Sequence, residues 1–330
     1  MDYSTKKPME TIQWGIIGCG DVTEVKSGPA FQSTKDSKLV GVMRRNESKV
    51  KDFAKRHNVP IWTSDANDLL NNDQINAIYV ATPPSSHLKY ALAALQAGKN
   101  VYLEKPMALT AREANEIVSA VDRSKAKLSL AHYRRKLPAF EKVKLLLEEQ
   151  AIGKPFLADI QLFQPRQSSL IAKSDTDWRL VPEISGGGYF YDLAPHQIDL
   201  MYYFFGAFDK VSGFAYVNEN KVEETVNGIM HFENKVQLRA VWNFTAPEGF
   251  QKEECVIYGT QGSIHFSFYG DQVLLRNRNG EETFQFIPPT HIQQPMISAV
   301  VSYFKGIQEN PCSAREGALI MRAMEQFCGR

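Results

Sequence analysis

The sequence predicts a two-domain α/β protein: a parallel sheet with helices on both faces, followed by a largely antiparallel second domain. Three observations predict this. Up to about residue 131, short apolar runs alternate with segments of helical periodicity, the rhythm of a parallel sheet with crossover helices. The first apolar run ends in a tight glycine turn, Gly18-Cys-Gly20, with a helix expected behind it. Beyond residue 150 strand-like runs follow one another with short turns, as in antiparallel sheets.

In chain order, "WGIIG", "LVGVM", "AIYVAT", "NVYLE" and "KLSLAHY" read as strands of the first half. Between them, "HLKYALAALQAG" is a helix that stops at Gly98 beside Lys99. "TAREANEIVSAVDRSK" starts at Thr110 with Glu113 three residues on, a capping-box pattern. The second half reads as strands from "PFLADIQLF" through "KVSGFAYV", "NGIMHF", "VQLRAVWNF", "CVIYGT" and "SIHFSF" to "QVLLRNRNG". Two helical stretches, "QPMISAVVSYFKGIQ" and "ALIMRAMEQFCG", close the chain.

The 330 residues correspond to about two domains at ~150 residues each. At 43% hydrophobic and 23% charged, the chain can bury sizeable cores. With 38 basic against 37 acidic residues, the net charge of +1 gives no electrostatic case for nucleic acid or an anionic membrane. Cys19, Cys255, Cys312 and Cys328 form no CxxC pair, which fits a reducing compartment better than a disulfide framework. No signal-peptide core and no run near the ~18 apolar residues of a membrane span is present. The expectation is a cytoplasmic protein.

The glycine turn is suited to a pyrophosphate. Gly18 and Gly20 let the backbone approach it, and the amides from Asp21 and Val22 onward, at a helix start, face it. Thr23 stands where the dinucleotide pattern has Gly or Ala. The second strand ends in Arg44 and Arg45, where an acid would accept the ribose hydroxyls of NAD; arginines there predict NADP over NAD. "VATPPSSH" follows a further strand, so Thr82, Pro83 and His87 are candidates for the cofactor floor; the plain alternative is a rigid Pro-Pro turn before a helix. "VYLEKP" places Glu104 and Lys105 at the next strand end, where Lys105 points into the same crevice.

In the second half, Gly186, Gly187 and Gly188 precede a run carrying Asp192, His196 and Asp199 at i,i+4 and i,i+3 spacing, on one helical face. Pro195 predicts that the helix begins near it and leaves Asp192 ahead of the first turn. His196 is the candidate acid/base for a substrate hydroxyl, a nearby carboxylate would orient it, and Lys105 would stabilise the alkoxide-like oxygen. The plain alternative is a helix-capping Asp192 and a histidine packed against aromatics. Arg166, Trp178 and Arg179 lie in a loop that would wall a substrate pocket, and Lys26 lies past the glycine turn, at its rim. No HExxH, dense His/Asp/Glu cluster or GxSxG is present, so neither a metal site nor a serine hydrolase is expected.

The glycine turn, "EKP" and the "GGG…D-xxx-H" segment, in this order, resemble the Gfo/Idh/MocA oxidoreductases. "TPPSSH", "AGKNVYLEKPMALT", "AIGKPF", "WR" and "YGTQGSI" extend the resemblance from about residue 11 to the C-terminus. It implies a Rossmann, doubly wound parallel domain over 1–131. It also implies an α/β domain over 132–330, whose large, mostly antiparallel open sheet joins copies into a homodimer or homotetramer. The implied cofactor is NAD or NADP, and the implied reaction is hydride transfer with a sugar, anhydrosugar or cyclitol. By position, Lys105, Asp192 and His196 match the family's catalytic lysine, aspartate and histidine. Two rival readings stay open: a glycosidase that oxidises its sugar transiently on held NAD, and a non-catalytic dinucleotide-dependent sensor.

Overall fold

The computed structural model describes residues 10–20, 23–171 and 176–330. Asp21 and Val22 lie outside these, as does the side chain of Lys26.

Six parallel strands build the first sheet: β1 (Ile12–Ile17), β2 (Ser37–Met43), β3 (Ile61–Thr63), β4 (Ala77–Val80), β5 (Asn100–Leu103) and β6 (Leu128–Leu130). Their order is β3-β2-β1-β4-β5-β6, a doubly wound arrangement. The connections carry α1 (Gly28–Ser33), α2 (Glu47–Arg56), α3 (Ala66–Leu70), α4 (His87–Gln96) and α5 (Ala111–Arg123). Every residue of β4 and β5 is buried, as expected for strands covered on both faces. The sequence reading missed β3, whose three residues at the sheet edge are too short to show a period. Thr110 caps α5 as its spacing predicts, its side chain accepting from the Glu113 amide.

After α6 (Pro138–Glu148), the second sheet contains β7 (Pro155–Phe163), β8 (Phe208–Val217), β9 (Glu223–Phe232), β10 (Gln237–Asn243), β11 (Lys252–Gly259), β12 (Gly262–Phe266), β13 (Gln272–Asn277) and β14 (Gly280–Gln285). The order is β14-β13-β12-β11-β7-β10-β9-β8, antiparallel except where β7 lies parallel to β10. The sequence reading missed β14, which is polar almost throughout because it forms an exposed edge. One face is apolar and covered, with Ile160, Leu238, Trp242 and Ile257 fully buried. The other is open and exposes Phe214, Tyr216, Ile229 and Tyr258.

The covered face packs against α8 (Tyr189–Phe205), which follows the short α7 (Pro182–Ser185), and against α10 (Ala314–Phe327). Here the structure corrects the sequence. The helix does not begin at Pro195 but runs through it, and Asp192 falls in its first turn. Proline inside a helix costs about 3 kcal/mol. Burial of Phe190, Tyr191, Leu193, Ile198, Leu200 and Met201 outweighs this, at about 1.5–3 kcal/mol for each large apolar side chain. The closing helices reach back to the first sheet. Phe304 at the end of α9 (Gln294–Phe304) packs on Trp14, and Glu325 of α10 accepts from the Ala111 amide at the start of α5.

Candidate active site

β1 is followed by Gly18, whose φ of +97° favours glycine. A Cβ there would come within 2.8 Å of the Thr82 nitrogen, so β1 and β4 can approach this closely only without a side chain. The Gly18 and Cys19 amides donate to the Met43 carbonyl at 2.9 and 3.2 Å, tying the turn to the end of β2. Arg44 is thereby held beside the turn, its Nη1 donating to the Cys19 carbonyl at 3.3 Å, while Arg45 is exposed. A Cβ on Gly20 would meet nothing within 4 Å, so the turn is open on its outer side. Thr23 is fully buried, and its hydroxyl closes back on the Gly20 carbonyl at 2.6 Å. A π-type turn, Thr23–Ser27, precedes α1 and accommodates the larger residue. The Thr82 hydroxyl is buried without a protein partner. An open glycine turn, a buried hydroxyl at the end of β4 and a cation after β2 fit a dinucleotide.

His87 differs from its expectation. It is fully buried, with Nε2 2.7 Å from the Thr82 carbonyl and Nδ1 2.9 Å from the Pro106 carbonyl. It therefore braces the two strand-end turns from beneath and does not surface the cofactor floor. Burial lowers its pKa, so it is neutral and donates to one of the two carbonyls.

Glu104 and Lys105 follow β5, and the Lys105–Pro106 peptide is cis. Glu104 is buried, accepting from the Tyr79 hydroxyl at 2.5 Å and Gln293 Nε2 at 2.9 Å. Lys105 Nζ crosses to the first turn of α8, donating to Asp192 Oδ1 at 2.6 Å and to its backbone carbonyl at 2.8 Å. Arg179 Nε donates to the other carboxylate oxygen at 2.7 Å. Burial alone would raise the Asp192 carboxyl, but the Lys105 and Arg179 charges outweigh it and hold it well below the usual carboxylate range. The start of α8 is tightly seated; a Cβ on Gly187 would come within 2.4 Å of the Tyr191 ring. One turn further on, His196 is 5% exposed and lies edge-on to Tyr133 at 5.0 Å between ring centroids. Lys105, Asp192, His196, Arg179, Tyr133 and Arg134 line one cavity of about 440 Å³.

The structure thus gathers Lys105, Asp192, His196 and Arg179, and redistributes the others. Asp192 accepts from Lys105 on one carboxylate oxygen and from Arg179 on the other, which ties the lysine of the first domain to the first turn of α8. Asp199 shares the helix with His196 but turns away, its carboxylate held at 2.6–3.1 Å by Arg135. Asp199, His132 and Cys312 stand within 4.8 Å of one another, and Arg135 already supplies the positive charge there. Arg166 is 73% exposed and paired with Glu224 at 2.6 Å; the long loop carries it to the surface, away from the cavity lining. Trp178 stacks under the Arg179 guanidinium at 4.4 Å and also stays out of the lining. Sequence reasoning missed Tyr133, Arg134, Tyr269 and Gln293 of the cavity wall. Only "YRR" carried a signal, since it follows β6 at the carboxyl end of the sheet, where ligands bind.

A doubly wound sheet that opens a dinucleotide crevice onto a cavity of lysine, carboxylate and imidazole is built for hydride chemistry: the protein is an oxidoreductase with a nicotinamide cofactor. It belongs to the GFO/IDH/MocA family. Residues 12–132 match the family's NAD-binding Rossmann fold and residues 140–265 its C-terminal domain. The chain is 53% identical over 319 residues to Oxidoreductase P35 of Formosa agariphila, covering 96% of this chain and 98% of that one. It is 25% identical to 1,5-anhydro-D-fructose reductase of Ensifer adhaerens, covering 92% of each. Its fold matches that of a levoglucosan dehydrogenase in complex with NADH and levoglucosan, with a TM-score of 0.83 at 23% identity and 96% of each chain covered.

Proposed function

We propose that the protein transfers a hydride between NADP and a hydroxyl-bearing carbon of a sugar, anhydrosugar or cyclitol. The observation that carries this reading is the meeting of Lys105, Asp192 and His196 in one cavity at the carboxyl end of the first sheet. When bound, the nicotinamide supplies the hydride acceptor or donor. The residues of the chain handle the proton and the oxygen. An ammonium has three N–H donors. Two of those of Lys105 are held by Asp192, and the third is left for the reacting oxygen, whose alkoxide character it favours. The His196 imidazole takes the hydroxyl proton on oxidation and returns it on reduction. Asp192, kept ionised, fixes the aim of Lys105, and Arg179 fixes Asp192.

The glycine turn at Gly18 and Gly20, with Thr82 beside it, would hold the pyrophosphate side of the cofactor, and Arg44 and Arg45 its 2′-phosphate. The chain "MRRN" offers no acid there for a free ribose hydroxyl. The sugar-like substrates named for the anhydrofructose reductase and levoglucosan dehydrogenase support the substrate class. Residue 131 divides the two domains in this reading. The open face around Phe214, Tyr216 and Ile229 joins identical copies, since a large exposed apolar patch marks an interaction surface. Four free cysteines, three of them buried, suit a reducing cytoplasmic setting. Among the described residues no helix is long and apolar enough to cross a membrane.

The test is a fluorescence titration with NADPH and NADH, followed by a screen of sugars, anhydrosugars and cyclitols for cofactor-dependent turnover. NADPH binding with turnover that disappears in His196→Ala supports the reading. Failure to bind either nucleotide, in protein shown to be free of cofactor, overturns it.

A further inference from the structure

Two adjacent arginines follow β6, and their surroundings differ. Arg135 shows what a buried guanidinium ordinarily needs. It is 3% exposed, grips Asp199 through Nε and Nη2, and reaches Glu316 Oε1 at 2.7 Å and the Pro311 carbonyl at 3.1 Å through Nη1. Arg134 is 5% exposed and has no such counter-charge among the described residues. Its Nη1 donates to the Phe268 carbonyl, its guanidinium carbon lies over the Tyr269 ring, 4.3 Å from the centroid, and its Nε has no partner. The Tyr269 hydroxyl beside it is likewise buried and unpartnered. Both residues line the cavity that holds Lys105 and His196.

A buried cation with no carboxylate to balance it is costly, and a buried donor left unmade costs a further desolvation penalty. The cavity as a whole also leans positive. Lys105, Arg134 and Arg179 stand against Glu104 and Asp192, and Asp192 is already claimed by two of the three cations. The missing counter-charge is therefore expected from the ligand. With Nη1 spent on Phe268, the Nε–Nη2 edge of Arg134 remains, a planar two-donor fork matched to a bidentate oxyanion.

We propose that Arg134, assisted by the Tyr269 hydroxyl, binds an oxyanion carried by the substrate, so that the enzyme acts on an acidic sugar, a sugar carboxylate before a neutral polyol. The inference rests on the reading of this cavity as the substrate site and narrows the substrate class. A phosphate ester presents the same pair of oxygens, and the experiment separates the two sources. Tyr269 is held protonated by burial, which keeps it a donor to such an anion.

The test is calorimetric titration of the NADPH-loaded protein with D-glucuronate, D-galacturonate and D-gluconate, with glucose 6-phosphate, and with neutral glucose and galactose. At least one carboxylate is expected to bind tenfold or more tighter than its neutral counterpart. Arg134→Gln should abolish that preference and Arg134→Lys, which keeps the charge without the fork, should restore part of it. Thermal melts of both variants separate this from unfolding. A preference for the phosphate alone, lost in Arg134→Gln, keeps the oxyanion site and replaces the carboxylate. Equal binding of acids and neutral sugars, or an acid preference that survives Arg134→Gln, overturns the proposal. Turnover of neutral sugars with no acid preference overturns it while leaving the oxidoreductase reading intact.

Discussion

Lys105 Nζ spends two of its three donors on a single residue, Asp192, one on Oδ1 at 2.6 Å and one on the backbone carbonyl at 2.8 Å. The two residues are 87 positions apart, one at the end of β5 and the other in the first turn of α8. The double contact removes the rotational freedom of a long side chain before a substrate arrives, so less is lost when it binds.

Lys105→Ala is expected to lower kcat about 10²–10³-fold, the usual cost of one preorganised donor at a developing oxyanion. NADPH affinity should change only a few-fold. Lys105→Arg should not restore turnover, because a planar fork cannot reproduce the geometry of an ammonium. Steady-state kinetics on a substrate found by the screen decides it; full activity in Lys105→Ala would remove the lysine from the mechanism.

The Asp192 carboxyl, held low by Lys105 and Arg179 against the opposing effect of burial, stays ionised throughout the neutral range. A carboxylate with a depressed folded-state pKa adds stability above its unfolded value of about 3.9, and that stability is lost as pH falls toward the folded value. Urea midpoints should therefore fall more steeply below about pH 4 in the wild type than in Asp192→Asn. Glu24, pushed down to about 2 by its hydrogen bond to Arg56, contributes in the same window in both proteins and cancels in the comparison. Identical acid slopes would show that the pairing does not tune Asp192.

Asp199 offers a contrast on the same helix. It is 1% exposed and bound to the equally buried Arg135. Asp199→Ala leaves that guanidinium with Glu316 as its remaining carboxylate and is expected to cost about 3 kcal/mol in denaturant unfolding, the low end for a broken buried pair. Lost kcat at unchanged stability would instead place Asp199 in the proton path.

Arg44→Ala should weaken NADPH by tenfold or more while leaving NADH nearly unchanged, since one charge-assisted contact to the 2′-phosphate is worth about 1.5–3 kcal/mol. Arg44→Asp should invert the preference by placing a ribose-binding carboxylate at the end of β2. Parallel fluorescence titrations give both numbers, and an unchanged ratio in Arg44→Ala would relegate Arg44 to bracing the glycine turn.

Ile229 is 61% exposed at the middle of β9, opposite Ser212 of β8 and Arg239 of β10. Charging it as Ile229→Asp is expected to split the oligomer, read as a drop in mass by light scattering at micromolar concentration. A wild-type protein that is already monomeric there would exclude the open face as an interface.

The sequence by itself determined the architecture and most of the crevice. Strand–helix alternation, the glycines at 18 and 20 and the strand-end residues 104 and 105 are local signals, because apolar period and turn chemistry act over a few residues. It did not show β3 or β14, which lie at sheet edges and lack a buried period. Nor did it show that α8 continues through Pro195, where packing of a buried helix overrides local propensity. Tertiary structure alone decided the partners. Helical spacing placed Asp192, His196 and Asp199 on one face. Only the arrival of Lys105, Arg179 and Arg135 from elsewhere in the chain gave the two carboxylates different tasks. Charge pairing between residues 13 to 87 positions apart leaves no trace in local pattern, because it is set by which strand ends and loops the fold brings together.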